Sequence, residues 1–423
     1  GYEATYQQPL KNATTLGEVL KSAGYRTLWA GKHHGADHPM DRGFDRYYGL
    51  MEGASNHFNP GPKRENEPHP AQKRPDRPFF IDRTLMQPYS PPSDYYSTDY
   101  FTKYALGWLE EYREEKHPFF LYLAYTAPHD PLMAWPEDIA KYKGKYSEGY
   151  EVIRKRRFEK QKSLKLIDED VILTEATHVP WSSLSDSLKK VEEQKMEVYA
   201  AMIDRMDQKI GEIIQKLREQ GKLKNTVFIF LADNGASGEV VTLPGNGQIG
   251  TVGQWTSLGE DWANVGNTPL RFFKNYSFEG GIRTPLIISW PKGIGHQNEI
   301  NPYPSHLIDI LPTLAELAGA EYPNEIKGKP VLPAAGESLL PTLTRNKTKR
   351  EKPIFWEWSV GRAVRMGDWK LVAHGKNSPW QLFDLKKDPF ETQNLASKAP
   401  EKVVELEKLF MDWKEQMSPK NFK

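Results

Sequence analysis

Three apolar runs constrain the fold of this chain more than any other feature: each follows a stretch of helical periodicity, and each ends in glycine or in polar side chains. Tyr25 to Ala30 runs into Gly31-Lys32-His33-His34-Gly35, Pro118 to Ala124 into Thr126-Ala127-Pro128-His129, and Thr226 to Ala232 into Asp233-Asn234-Gly235. Successive helix-then-strand units predict parallel strands joined by right-handed crossovers. In such open sheets ligands bind beyond the carboxyl ends of the strands, where these polar side chains are delivered.

The punctuation supports that grammar. Thr15-Leu16-Gly17-Glu18 reads as a capping box, and Gly24 stops the helix it opens. A second helix is expected from Asp99 to about Glu115, with Phe101, Ala105, Trp108, Leu109 and Tyr112 on one stripe. The run Phe119 to Ala124 reads as a strand buried on both faces. A third helix, about Gln194 to Glu219, repeats Ile203, Met206, Ile210, Ile213 and Leu217. Pro285 to Trp290 and about Ser305 to Ala318 add a strand and a helix. Residues 59 to 97, rich in Pro and Asp, predict a long surface insertion, and residues 141 to 193 a charged helical insertion or lid. After Glu337 come short antiparallel strands, Ile354 to Trp358 and Ala363 to Ala373, the latter broken at Gly367-Asp368, then a helix over about Pro400 to Gln416. The expected division is a catalytic α/β domain over 1–340 and a small α+β domain over 341–423.

Bulk composition excludes some functions. In 423 residues, 57 Lys and Arg balance 56 Asp and Glu, which gives no reason to expect nucleic acid or an anionic membrane as partner. No run approaches the length of a membrane span. With no cysteine, thiol nucleophiles, thiolate metal sites and disulfides are absent. The opening Gly1-Tyr2-Glu3-Ala4 has neither the basic nor the apolar part of a signal peptide.

The chemistry-bearing residues cluster after the apolar runs. Asp233 and Asn234 offer adjacent hard oxygen ligands, suited to Ca²⁺ or Mg²⁺ better than to zinc, although the same tripeptide is a common turn. Lys32 can hold a fixed positive charge on an anion, and His34 can move protons. His129 sits in a loop stiffened by Pro128 and Pro131. Lys274 precedes Gly280-Gly281, whose bare backbone permits the close approach an anion pocket needs. Two lysines, two histidines and an Asp-Asn pair fit hydrolysis of a tetrahedral oxyanion ester. Ser305, His306 and Asp309 fall within one expected helix, and no Gly-x-Ser-x-Gly motif occurs, so a serine-hydrolase triad is rejected.

These residues carry a resemblance. Gly31 to Ala36 with Arg42-Gly43-Phe44-Asp45, Thr126 to His129, Ala232 to Gly235, Lys274 with Glu279-Gly280-Gly281-Ile282-Arg283-Thr284-Pro285, and Leu382 to Leu385 through Glu391 to Leu395 resemble, in order, the motifs of the sulfatase family of the alkaline-phosphatase-like superfamily, bacterial arylsulfatases above all. The resemblance implies a mixed, mostly parallel sheet sandwiched by helices, with a smaller C-terminal α+β domain. It implies a hydrolase of sulfate esters, aryl or carbohydrate, in the periplasm or secreted. Asp233 and Asn234 would bind Ca²⁺, with Mg²⁺ less favoured. Lys32, His34, His129 and Lys274 would be catalytic, and Lys32, His129, Lys274, Asn56 and His57 would bind substrate. Phosphonate or phosphate ester hydrolysis, and a nonenzymatic sulfate-binding remnant, are the alternatives.

The family's nucleophile is a formylglycine made from Cys or Ser in a Cys/Ser-x-Pro-x-Arg motif, preceded by two metal-binding aspartates. Neither feature occurs here; Ser90-Pro91-Pro92-Ser93-Asp94 has Asp where Arg is needed and reads as a turn. The expectation is an N-terminally truncated copy lacking roughly 30 residues or more. Such a polypeptide would bind Ca²⁺ weakly, show no turnover alone and tend to aggregate along uncovered strand edges.

Overall fold

A computed structural model describes residues 8–295, 298–326, 328–345 and 347–417; the opening Gly1 to Ala4 lies outside them. The elements are α1 (Leu16–Ser22), β1 (Arg26–Gly31), β2 (Arg46–Leu50), β3 (Phe79–Ile81), β4 (Thr84–Met86), α2 (Ser97–Glu111), β5 (Phe119–Ala124), α3 (Pro136–Ala140), α4 (Gly149–Ser163), α5 (Asp186–Glu219), β6 (Phe228–Leu231), α6 (Glu260–Gly266), α7 (Glu279–Ile282), β7 (Leu286–Ser289) and α8 (Ile310–Ala318). They are followed by β8 (Glu325–Ile326), β9 (Lys329–Pro330), α9 (Leu340–Arg345), β10 (Ile354–Trp358), β11 (Gly361–Met366), β12 (Trp369–His374), β13 (Gln381–Asp384) and α10 (Pro400–Gln416).

The first helix forms as its punctuation predicts. Thr15 Oγ1 accepts from the Glu18 amide at 3.1 Å while Glu18 Oε2 accepts from the Thr15 amide at 2.9 Å, satisfying two donors that helix geometry leaves open. β1 then lies between β2 and the edge strand β5 in a sheet ordered β4-β3-β2-β1-β5. It pairs in parallel with β2 and with β5, Ala30 opposite Tyr48 and Leu123, while β3 and β4 add antiparallel. α2 and α5 cover one face, where Leu28, Phe101, Ala105, Trp108, Ile213 and Leu217 form a continuous core.

The three strand ends meet through glycine. A Cβ on Gly31 would collide with the Ala124 carbonyl, and one on Gly49 with the Gly31 carbonyl. Gly31 also holds φ +125°, a conformation other residues avoid. Backbone thus touches backbone at the carboxyl edge of β1, β2 and β5, and the loops leaving it start close together.

The structure departs from the sequence reading in several places. β2 was not anticipated, because Gly49 interrupts any alternation in Arg46 to Leu50. Residues 59 to 97 are no mere surface insertion: β3 and β4 return to the sheet through a tight turn at Asp82, φ 52°, and Asn59, Phe79, Tyr89 and Tyr95 are buried. β5 is not covered on both faces, since Tyr122 is 42% exposed; its only strand partner among the described residues is β1. β6 pairs with β7 alone, and antiparallel, so the third helix-strand unit does not extend the parallel ladder within the described residues. α5 begins earlier than expected because Ser185 Oγ accepts from the Leu188 amide at 3.3 Å and caps it there. His306 Nδ1 accepts from the Ile308 amide at 3.2 Å, and buried Asp309 pairs with Arg350 at 2.6 Å, which bears out a helix start and not a triad.

After α9 the chain forms an antiparallel meander, β10-β11-β12-β13. α10 lays Leu406 and Phe410 on Val364, Leu371 and Leu382 of one face. The other face packs Ala363, Val372 and Phe383 against Phe278. Beneath that contact Lys370, wholly buried, sits 2.7 Å from Glu279 Oε1 and 2.7 Å from Glu391 Oε1. This cluster ties the meander to α7.

Candidate active site

The loops leaving β1, β5 and β6, together with the segment before α7, converge on one cavity of about 2470 Å³ lined by Lys32, His34, His129, Asp233, Asn234 and Lys274. Backbone contacts set their spacing. The Gly235 amide donates to the Gly281 carbonyl at 3.0 Å, and a Cβ on Gly235 would strike the Gly280 carbonyl. Asn267 clamps the same place: its Oδ1 accepts from the Ala236 amide at 3.0 Å and its Nδ2 donates to the Gly280 carbonyl at 2.8 Å. The Lys274 amide donates to the Ala236 carbonyl at 2.9 Å, so the Asp233 loop and the Lys274 segment move as one unit.

The charges are arranged around the cavity unevenly. Burial pulls the Lys32 ammonium below its usual pKa and Lys274 adds to this, while Asp233 and Asp130 oppose it. Lys32 has no carboxylate at ion-pair distance among the described residues. Lys274 does: its Nζ donates to Glu239 Oε2 at 2.7 Å. Burial raises the Glu239 carboxyl, but bonds from Lys274 and Asn275 outweigh it and leave its pKa lowered. His34, held at φ 58°, is depressed by burial and then by Lys32, His129, Lys274 and Arg77. It is therefore poised as a neutral imidazole able to accept a proton. His129 Nδ1 lies 2.8 Å from the Asp130 carbonyl and 2.7 Å from Asp130 Oδ1.

Asn56 and His57 are not brought to the cavity. Both are fully buried. Asn56 Nδ2 donates to the Val252 carbonyl at 2.8 Å, and its Oδ1 accepts from the Phe58 and Asn59 amides at 3.0 and 2.9 Å. Its capacity is spent on fixing loops. His57 Nε2 donates to the His129 carbonyl at 3.1 Å, which leaves Nδ1 to accept from Ser97 Oγ at 2.6 Å. It stands behind His129 as a support.

That burial has a pH consequence. The His57 pKa falls to about 4 from an ordinary 6.5, chiefly through desolvation. The unfolded chain then binds the extra proton between these values, so stability is present above about 6.5 and lost as pH falls towards 4, up to about 3 kcal/mol from this group. An NMR titration of the His57 ring is expected to show no protonation down to about pH 5; a midpoint near 6.5 would contradict it.

Asp233 and Asn234 fit a hard cation in part. Asp233 is exposed to the cavity, and Asn234 Nδ2 donates to the Gly235 carbonyl at 2.8 Å, while its amide oxygen accepts no hydrogen bond from the described residues. Among the described residues no three His, Asp or Glu side chains converge as a metal site. The pair supplies oxygen donors for a divalent cation without completing its shell. Sequence reasoning missed Glu239, Arg77 and Asp130 in this cavity. Only Asp130, adjacent to a proline-framed histidine, offered a signal.

The family model described as Sulfatase matches residues 1–320, most of the chain. The chain belongs to the sulfatase family. Sulfatases are hydrolases of sulfuric esters. A second model, the C-terminal part of N-sulphoglucosamine sulphohydrolase, matches residues 270–418. An uncharacterized sulfatase of Schizosaccharomyces pombe is 34% identical over 96% of this chain and 77% of its own length. An arylsulfatase of Klebsiella aerogenes is 35% identical over 77% of this chain and 72% of its own. Among solved structures, Ps i-CgsB in complex with k-i-k-neocarrahexaose superposes with a TM-score of 0.66 at 23% identity, covering 97% of this sulfatase and 77% of the other chain. That likeness supports the fold: an alkaline-phosphatase-like α/β body with a smaller antiparallel C-terminal sheet. No helix among the described residues is long and apolar enough to cross a membrane.

Proposed function

We propose that this sulfatase cleaves the sulfate ester of an aryl alcohol or a carbohydrate in the cavity between Lys32, His34, His129, Asp233 and Lys274. The observation that carries the reading is the convergence of these residues, from separate loops, on one cavity. In this reading Lys32 and Lys274 hold the sulfate oxygens, where fixed charge in a partly dry site acts strongly. The S–O bond breaks with its electron pair passing to the bridging oxygen, which takes the Nε2 proton of a doubly protonated His129 ring and leaves as the alcohol, the ring keeping its Nδ1 proton. His34, kept neutral, accepts a proton on the opposite side of the reaction. When bound, Ca²⁺ held by Asp233 and Asn234 would neutralise sulfate charge, and a formylglycine hydrate, assigned to none of these residues, would supply the oxygen nucleophile.

The carbohydrate class is supported by solved relatives such as BT4656, whose structure holds D-glucosamine-2-N,6-O-disulfate (TM-score 0.58, 21% identity, 96% of this chain and 83% of that one). The aryl class is supported by the Klebsiella arylsulfatase. Turnover of 4-nitrophenyl sulfate and of sulfated monosaccharides by the matured enzyme is the test. Efficient hydrolysis of a phosphonate monoester with no sulfate ester turned over would overturn the reading.

A further inference from the structure

Asp130 is a carboxylate in the cavity wall that is nearly sealed from solvent while touching a proposed proton donor. Its residue is 5% exposed, and Oδ1 lies 2.7 Å from His129 Nδ1. Its other oxygen, Oδ2, accepts from Ser257 Oγ at 2.6 Å and from Trp255 Nε1 at 3.4 Å. Those two donors fix the carboxylate plane from a different loop, one that rejoins the β5 loop where the Leu132 amide donates to the Thr256 carbonyl at 2.8 Å. Burial by itself raises the Asp130 carboxyl, but His129, Ser257 and Trp255 outweigh it and keep the group ionised.

His129 Nδ1 is therefore hydrogen-bonded to the Asp130 carbonyl, with the carboxylate Oδ1 beside it at ion-pair distance and off the hydrogen-bond direction. A nitrogen so placed must carry hydrogen, because an unprotonated one would face oxygen lone pairs at contact. Nε2 makes no hydrogen bond among the described residues, and the ring lines the cavity. From the other side His57 holds the His129 carbonyl at 3.1 Å, so both the backbone and the ring of His129 are anchored.

We propose that Asp130, oriented by Ser257 and Trp255, is a positioning residue that fixes the His129 proton on Nδ1 and so reserves Nε2 for the substrate. The proposal rests on the role given to His129 above. It predicts a functional difference between two substitutions that look alike. In Asp130→Asn an amide NH₂ can face Nδ1 and compete with the backbone carbonyl that still accepts there, raising the share of the opposite tautomer. In Ser257→Ala the carboxylate remains and only its support is lost. The charged or titratable groups around the ring are Asp130 on its own loop, His34 and Lys32 on the β1 loop, His57 behind its backbone, and Glu239 across the cavity.

The first measurement is independent of activity: ¹⁵N shifts of His129 in the unmodified protein above its titration. The expected result is the Nδ1–H tautomer; a neutral Nε2–H ring would overturn the proposal even if sulfate esters are cleaved. The second is kinetic. Asp130→Asn is expected to lower kcat by roughly 10²–10⁴-fold with KM within about threefold, and to raise the Nε2–H share of the ¹⁵N signature, whereas Ser257→Ala lowers kcat about tenfold or less and keeps the tautomer. Equal kcat in Asp130→Asn and unmodified enzyme would also overturn it. Failure of every sulfate ester to turn over would sink the functional reading alone, because the tautomer arm would still stand or fall by itself.

Discussion

Replacing Lys32 with alanine is expected to lower kcat/KM for an aryl sulfate by roughly 10²–10³-fold, about 3–4 kcal/mol of lost transition-state stabilisation. The reason lies in the company each lysine keeps. Lys32 is half-buried, and burial strengthens any charge it places on an oxyanion. Among the described residues it meets no carboxylate at ion-pair distance, so its charge is available to substrate. Lys274 divides its charge with Glu239 at 2.7 Å, and Lys274→Ala should cost less, about tenfold less than the Lys32 change. Glu239→Gln should move the opposite way and tighten inhibition by inorganic sulfate. Steady-state kinetics on the two lysine variants decide the point, and equal losses would show that the pairing with Glu239 is irrelevant in the working enzyme.

A second large effect concerns stability. Lys370→Met is expected to cost about 3–5 kcal/mol in urea unfolding, because it strands two carboxylates that share one buried cation. The two acids are not equivalent. Burial raises both, but Lys370 and Arg283 bring Glu279 below its ordinary value, while Glu279 itself keeps Glu391 above. One lysine cannot hold two full negative charges in a dry site, so the cluster favours a proton on Glu391. Glu391→Gln should therefore be nearly neutral, and adding it to Lys370→Met should recover part of the loss. If Glu391→Gln proves as costly as Lys370→Met, the charge assignment is wrong.

How much was legible beforehand differed between local and distant signals. The capping box at Thr15 and Glu18, the strand Arg26 to Gly31 and the helix Pro400 to Gln416 follow from neighbours in sequence, and they stand where periodicity and punctuation put them. Lys32, His34, His129, Asp233, Asn234 and Lys274 were readable as a set because each trails an apolar run or precedes paired glycines, and they share one cavity. What could not be read depends on partners far along the chain. Glu239 matters only because a fold brings it to Lys274, 35 residues on. Asn56 and His57 look like free polar side chains until residues 252, 97 and 129 are seen to occupy them. β2 and β3 lack alternation because Gly49 and a short hairpin serve packing at the strand ends.

The contacts of Gly31, Gly49, Gly235 and Gly280 with neighbouring carbonyls mean that the floor beneath the cavity-lining loops is built from main chain packed on main chain. Such a floor cannot be tuned by exchanging side chains, since any methyl group there would push apart the segments that carry the reactive residues. Adaptation to a new substrate has to come from the walls, above all from the stretch holding Lys73 and Arg77 and from 157 to 171, which contribute to the lining. A library intended to change what this sulfatase accepts should hold those four glycines constant and place its diversity in these two stretches.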